Sequence, residues 1–157
     1  MQKQPSSRTC FLCGRQNNTG LKISWYNDPQ AALVRAKVVV PQQFNGYPGF
    51  VHGGIIAALL DETSGRAIMI DGDHDNLMVT TRLEVKYLLP TPTEHELALI
   101  GWQIKGNKRH AHVAAEIQLD DGTVTARCKA TVVKPPSKYY ELWKWESEKE
   151  HWRIYED

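Results

Sequence analysis

The stretch VHGGIIAALLDETSGRAIMI, residues 51–70, decides the fold. It carries no proline, is apolar on nearly every side up to Asp61, and is stopped by Asp71-Gly72-Asp73. A helix that is apolar all round has no face for water, so it belongs under a sheet. The flanking sequence supplies that sheet. Upstream, Leu21–Tyr26 reads as a first strand, and the segment NDPQ (27–30) reads as a turn. A second strand follows, in which Val34, Ala36, Val38 and Val40 alternate with Leu33, Arg35, Lys37 and Val39. PQQFNGYPGF (41–50) is the loop that leads into the helix.

Downstream, four more strands are predicted. Over Leu77–Leu89 the odd positions Leu77, Val79, Leu83, Val85, Tyr87 and Leu89 form an apolar face. Glu96–Ile104 is apolar on both faces, KGNKR (105–109) is a hairpin turn, and His110–Leu119 turns Val113, Ala115, Ile117 and Leu119 inward. Asp120-Asp121-Gly122 is a strong hairpin signal. Thr123–Val133 then points Val124, Ala126, Cys128, Ala130 and Val132 to the core. Strand, strand, long helix and four antiparallel strands make an α+β fold, a curved sheet wrapped around one central helix. Residues 1–9 are polar and expected to fray. The charged, tryptophan-bearing tail 137–157 is expected to form a surface helix up to Trp152.

Composition narrows the function classes. The 157 residues fit one domain with a core of its own. Hydrophobic residues make up 41% and charged residues 24%, an ordinary globular mix. With 19 basic against 18 acidic residues, the net charge of +1 offers no basic field for nucleic acid. The apolar run from Val51 to Leu60 is too short for a bilayer, which takes about 20 apolar residues. The start MQKQPSSRTC has no apolar signal core, and three cysteines are an odd count. Both features predict a cytoplasmic chain without a disulfide framework.

Asp61 is the first residue that demands a chemical explanation. A carboxylate within a buried helix costs several kcal/mol unless it is paired or its pKa rises. Its i−4 and i−3 neighbours are Ala57 and Ala58, and Arg66 is five residues on, so no cation stands at helical spacing. The bland alternative is that the helix surfaces here and Asp61 is solvated beside Glu62. Gly54, Ala57, Ala58, Asp61 and Gly65 form a small-residue face, suited either to packing on the chain's own sheet or to the approach of a twin helix. His52, Gly53 and Gly54 open the helix, where unpartnered N–H groups and the positive dipole end can meet a ligand oxygen. A glycine-rich helix start needs no ligand, and His52 reads as a cap or packing residue rather than a base.

Other constellations are weaker. Cys10 and Cys13 form one CxxC; zinc normally takes four ligands, and no second pair follows unless two chains share a site. No helix N-terminus follows to make the pair thioredoxin-like. Cys128 reads as a small apolar core residue. His110 and His112 share a strand face and could chelate, but an exposed strand face explains them as well. No metal site is predicted.

The segments FNGYPGFVHGGIIAALLDE (44–62) and TTRLEVKYLLPTP (80–92) resemble the signature of hotdog-fold acyl-CoA thioesterases, and the resemblance extends over roughly residues 10–134. It implies a hotdog domain over 1–136, with 1–20 a CxxC-containing extension and 137–157 a tail. It also implies a homodimer, sometimes paired again into a tetramer, that cleaves an acyl-CoA substrate without a cofactor. The carboxylate nine residues past the HGG histidine falls on Asp61. The backbone N–H that polarises the thioester carbonyl falls on Gly53, and a hydroxyl ten residues before Pro90 falls on Thr80. Asn45 is the nearest match to an amide in the lead-in loop, while His52 and Gly54 flank the acyl site. Coenzyme A phosphates would meet basic surface positions, with Lys108 and Arg109, or Arg82 and Lys86, as candidates alongside Lys105. The alternative is a non-catalytic acyl or acyl-CoA binding module on the same fold. A hydratase would pair its acid with a histidine, and no such pair is found.

Overall fold

The computed structural model describes residues 1–156. Its strands and helices are β1 (Gln2–Lys3), β2 (Trp25–Asp28), β3 (Leu33–Val39), α1 (Gly53–Arg66), β4 (Val79–Tyr87), β5 (Glu96–Gly106), β6 (His110–Gln118), β7 (Val124–Val133), α2 (Lys138–Leu142) and α3 (Trp145–Glu148). All seven strands join one antiparallel sheet in the order β1-β2-β3-β5-β6-β7-β4. Of the predicted inward positions on β6, β7 and their flanks, Val113, Ala115, Ile117, Ala126, Cys128, Ala130 and Val132 are buried, while Leu119 and Val124, at the ends next to the turn, are half-buried. Among the described residues no helix is long and apolar enough to cross a membrane.

Helix α1 lies across β5, β6, β7 and β4. Ile56, Leu59, Leu60 and Thr63 are buried against the sheet. The approach is close because β5 carries Gly101: a Cβ there would stand 2.5 Å from the Thr63 carbonyl oxygen and 2.9 Å from a Val34 methyl. Thr63 also ties the helix to β2. Its hydroxyl donates to the Leu59 carbonyl at 2.7 Å and accepts the Trp25 indole N–H at 3.1 Å. The helix is 14 residues long and tightens into a 3-10 turn at Ala67–Met69. It is not buried all round as its composition predicts: Gly54 is exposed, Ala57, Ala58, Asp61 and Gly65 are half-buried, and a Cβ at Gly65 would meet nothing within 4 Å. The chain's own sheet therefore leaves the small-residue face uncovered.

Both ends depart from expectation. The first residues are ordered: Gln2 and Lys3 pair with Asn27 and Tyr26. Gln4 is 1% exposed and donates to the Asn27 side chain (2.7 Å) and the Arg66 carbonyl (3.0 Å). Polarity here signals a buried, satisfied network rather than fraying. Asn27, read as a turn residue, sits inside β2 because its amide also donates to the Met69 carbonyl at 3.0 Å. The tail is not one surface helix. Lys144 takes a left-handed conformation (φ 54°) that separates the short α2 from α3. The chain then runs back, pairing Arg153 with Ser6 and joining the Trp152 indole N–H to the His74 carbonyl at 2.8 Å.

The Gly101–Thr63 contact sets a test. Gly101→Ala forces helix and sheet apart and is expected to destabilise the fold by about 1–3 kcal/mol, the usual cost of overpacking a core. The measurement is the midpoint of chemical unfolding at constant m-value, and an unchanged midpoint would refute the close seat.

Candidate functional site

The lead-in loop delivers the chain to the start of α1. The Gly46 N–H donates to the Phe50 carbonyl at 2.9 Å, and the His52 N–H donates to the Phe44 carbonyl at 3.0 Å. Asn45 bridges to Val51, and its buried side-chain oxygen has no hydrogen-bond partner among the described residues. His52 is the N-cap: its Nδ1 accepts the Gly54 N–H at 2.9 Å. The cap thus occupies Gly54 and leaves the neighbouring Gly53 N–H without a partner among the described residues. On its other side the Gly53 carbonyl accepts the Tyr87 hydroxyl at 2.8 Å, which fixes the orientation of the first helical turn. Tyr87 escaped the sequence reading because alternation alone assigns it to an apolar face.

Asp61 lies two turns along the same helix, half-buried on the uncovered face. The Thr80 hydroxyl donates to its Oδ1 at 2.7 Å. Thr80 is brought there by a β-bulge, since the register of β4 against β7 shifts between Thr80 and Arg82. Burial pushes the Asp61 pKa upward; the Thr80 hydrogen bond pulls it down, and the charge of Glu62 adds to the rise. Arg66 does not neutralise it. The Arg66 Nε binds Glu62 at 2.8 Å and its Nη1 binds the Pro5 carbonyl at 2.9 Å, both directed toward the N-terminal segment. Asp61 and Thr80 open onto a cleft of about 470 Å³ that Met78 and Trp152 also line.

The predicted basic positions are dispersed. Arg82 and Lys86 are exposed on β4, with Arg82 3.7 Å from Glu84. Lys108 binds Asp71 (3.1 Å) and Asp73 (2.8 Å), so its charge is already compensated by the loop that follows the helix. Arg109 is exposed at the tip of the β5–β6 hairpin. His110 and His112 form an edge-on ring pair with centroids 4.8 Å apart. Among the described residues no three His, Cys, Asp or Glu side chains converge on a common point.

This geometry can be compared with known proteins. Residues 48–126, half of the chain, match the model of the thioesterase superfamily. Over 90 residues the chain is 31% identical to the acyl-coenzyme A thioesterase THEM4 of Mus musculus, a match covering 57% of this chain and 37% of that protein. The chain thus spans little more than a third of that curated relative. A crystal structure of a thioesterase superfamily protein superposes with a TM-score of 0.72 at 28% identity, covering 80% of this chain and 63% of the other. A hypothetical thioesterase from Streptococcus pneumoniae, solved with coenzyme A, gives 0.58 at 20% identity over 64% of this chain and 79% of the other. An antiparallel sheet around a central helix is the shared architecture, and the chain belongs to the thioesterase superfamily.

Proposed function

We propose that the chain hydrolyses the thioester of an acyl-coenzyme A to the free acid and coenzyme A, at a site shared by two copies in a homodimer. One observation carries this reading: a half-buried carboxylate, free of any cation and held by a single hydroxyl, lies on a helix face that the chain's own sheet leaves uncovered. A structural aspartate would be paired or solvated. The partnerless Gly53 N–H at the positive end of the same helix supports an oxyanion role. The coenzyme A in the pneumococcal neighbour and the name of the mouse relative support the substrate class.

In this mechanism the thioester carbonyl oxygen accepts the Gly53 N–H. Asp61 takes a proton from water as the water oxygen bonds to the acyl carbon, then returns it to the departing coenzyme A thiolate as the C–S bond breaks. Direct attack by the carboxylate, giving an anhydride that water opens, uses the same residues. Thr80 holds the carboxylate in either route, and Tyr87 holds the Gly53 peptide. Asn45 is assigned to orienting the substrate from the lead-in loop.

Geometry argues for the shared site. Eight residues of helix separate Gly53 from Asp61, about 12 Å at 1.5 Å per residue. The oxyanion donor must lie about 3 Å from the oxygen, with the base a water's reach from the carbon. One helix cannot serve both ends of a single carbonyl. Two antiparallel copies meeting on the small-residue face can, and a two-fold axis makes two such sites.

Asp61→Asn is expected to lower turnover of an acyl-CoA panel, followed by thiol release, at least about a hundredfold, whereas Glu62→Gln costs far less. The same variant should unfold at an equal or higher temperature at neutral pH. A carboxylate whose folded pKa is raised above its unfolded value weakens the fold once ionised, and the amide still accepts from Thr80. Binding without turnover in the wild type would instead support the acyl-binding module.

The pH profile is expected to fall as pH drops through the raised Asp61 pKa, above the ordinary carboxylate value of about 3.9. Thr80→Val removes the hydrogen bond that favours the anion, so its acid limb should move to higher pH. A limb that stays fixed would remove Thr80 from the site.

Asp61→Ala and Gly53→Pro, the latter deleting one N–H at a position that tolerates proline, should each be inactive. After subunit exchange, half the dimers are mixed and each keeps one intact site, so activity should return to about a quarter of wild type. No recovery despite confirmed exchange between folded variants would sink the shared site.

A further inference from the structure

The CxxC of the N-terminal segment is not used by the proposed hydrolysis, yet its surroundings are those of a reactive thiol pair. Residues 10–13 make a tight turn closed by the Gly14 N–H on the Cys10 carbonyl at 2.6 Å, and any side chain at position 14 would collide with the Cys10 backbone. The turn sets Cys10 and Cys13 three residues apart on one loop, where the two thiols titrate as a pair. Cys13 is buried; its sulfur accepts the Ser7 N–H at 3.4 Å and shares a hydrogen bond with the Ser7 hydroxyl at 3.5 Å, and that hydroxyl oxygen accepts the Cys10 N–H at 3.2 Å. Cys10 is half-exposed, with the Leu12 N–H on its sulfur at 3.4 Å.

The positive charge comes from far along the chain. The Arg66 guanidinium is 3% exposed, stacks on Trp25 at 4.4 Å, favours the Cys13 thiolate, and keeps one nitrogen, Nη2, without a partner among the described residues. Glu62, ion-paired to the same guanidinium, opposes it. The mutual influence of the two thiols is the largest effect; burial opposes ionisation, and the Arg66 charge and the Ser7 hydrogen bond favour it. The pair thus gives up its first proton at about 6 and holds its second above the ordinary thiol range. Cys128 shows the contrast. It is buried in the core, donates to the Leu60 carbonyl at 3.6 Å, and has no thiol neighbour to pair with among the described residues.

We propose that Cys10 and Cys13 are a redox-active dithiol, a site of reversible disulfide formation with low-molecular-weight disulfides. In the first step the pair, having lost one of its two protons, attacks the reagent disulfide through the accessible Cys10 thiolate while Cys13 keeps the remaining proton, and one reagent thiolate leaves. Cys13 then gives up that proton and attacks the Cys10 sulfur, forming the Cys10–Cys13 bond and expelling the second thiolate. Two electrons pass to the reagent, which becomes two thiols, one taking the pair's proton and the other a proton from solvent. The sequence alone argues against a thioredoxin-like role, because no helix N-terminus follows the motif. In the structure the Arg66 guanidinium supplies the positive charge that a helix N-terminus would.

The test treats the reduced, folded full chain with oxidised glutathione and follows products by intact mass and peptide mapping. The expected product is the Cys10–Cys13 disulfide, formed at least about tenfold faster than any reaction of Cys128. Its rate should rise through pH of about 6 and then level off. Cys13→Ser should trap glutathione on Cys10. The wild-type chain carries the primary readout, so a variant that misfolds leaves the test intact. Stable glutathione adducts on wild-type Cys10, equal reactivity of Cys128, a rate still climbing near the ordinary thiol pKa of about 8.5, or stoichiometric zinc held by the purified chain and lost in Cys13→Ser would each overturn the proposal.

Discussion

The contact of α1 with β5, backbone against a glycine, is the constraint on which the rest depends. Because Gly101 has no side chain, the Thr63 carbonyl can lie against the sheet, and the helix is fixed in height and rotation. Rotation decides which residues are spent on the core and which remain at the rim. Ile56, Leu59, Leu60 and Thr63 go inward, so Gly54, Ala57, Asp61 and Gly65 cannot. The candidate site is thus the face of the helix that the core does not claim. A helix turned by one residue, about 100°, would bury the carboxylate or lose it to water.

At that rim the energetics balance narrowly. A fully desolvated carboxylate with one hydroxyl for company would protonate, and a fully solvated one would behave like any surface aspartate. Half-burial with the Thr80 hydrogen bond holds Asp61 between these limits, with its pKa raised by burial and restrained by the hydroxyl. The bulge in β4 is the device that allows this, since it turns Thr80 toward the helix while the strand keeps its pairing to β7 on either side.

Much of this was legible in the sequence because it rests on local patterns. Alternation identified the inward faces of β6 and β7, the proline-free apolar run identified α1, and the absence of a cation near Asp61 followed from spacing alone. What stayed hidden depends on partners remote in sequence. Gln4 and Asn27 read as fraying and turn residues because their polar groups are satisfied by the Arg66 and Met69 carbonyls, at the far end of α1. The tail looked like one helix because helix propensity does not reveal a left-handed Lys144. Tyr87 and the surroundings of Cys13 were invisible for the same reason: the groups that give them a role, Gly53 and Arg66, lie 34 and 53 positions away.

The pairing of Ser6 with Arg153 makes the molecule close to a ring. Two backbone hydrogen bonds, at 2.9 and 3.4 Å, join these residues, and the Lys3 ammonium adds a bond to the Tyr155 carbonyl at 2.7 Å. Closing so long a loop costs little more than closing a short one, since each doubling of length adds only about 0.6 kcal/mol. The effect is on cooperativity. Segments that would ordinarily open first and separately are tied into one unit, so loosening either one exposes Trp152, the Arg66 guanidinium it covers and the edge of β2 together.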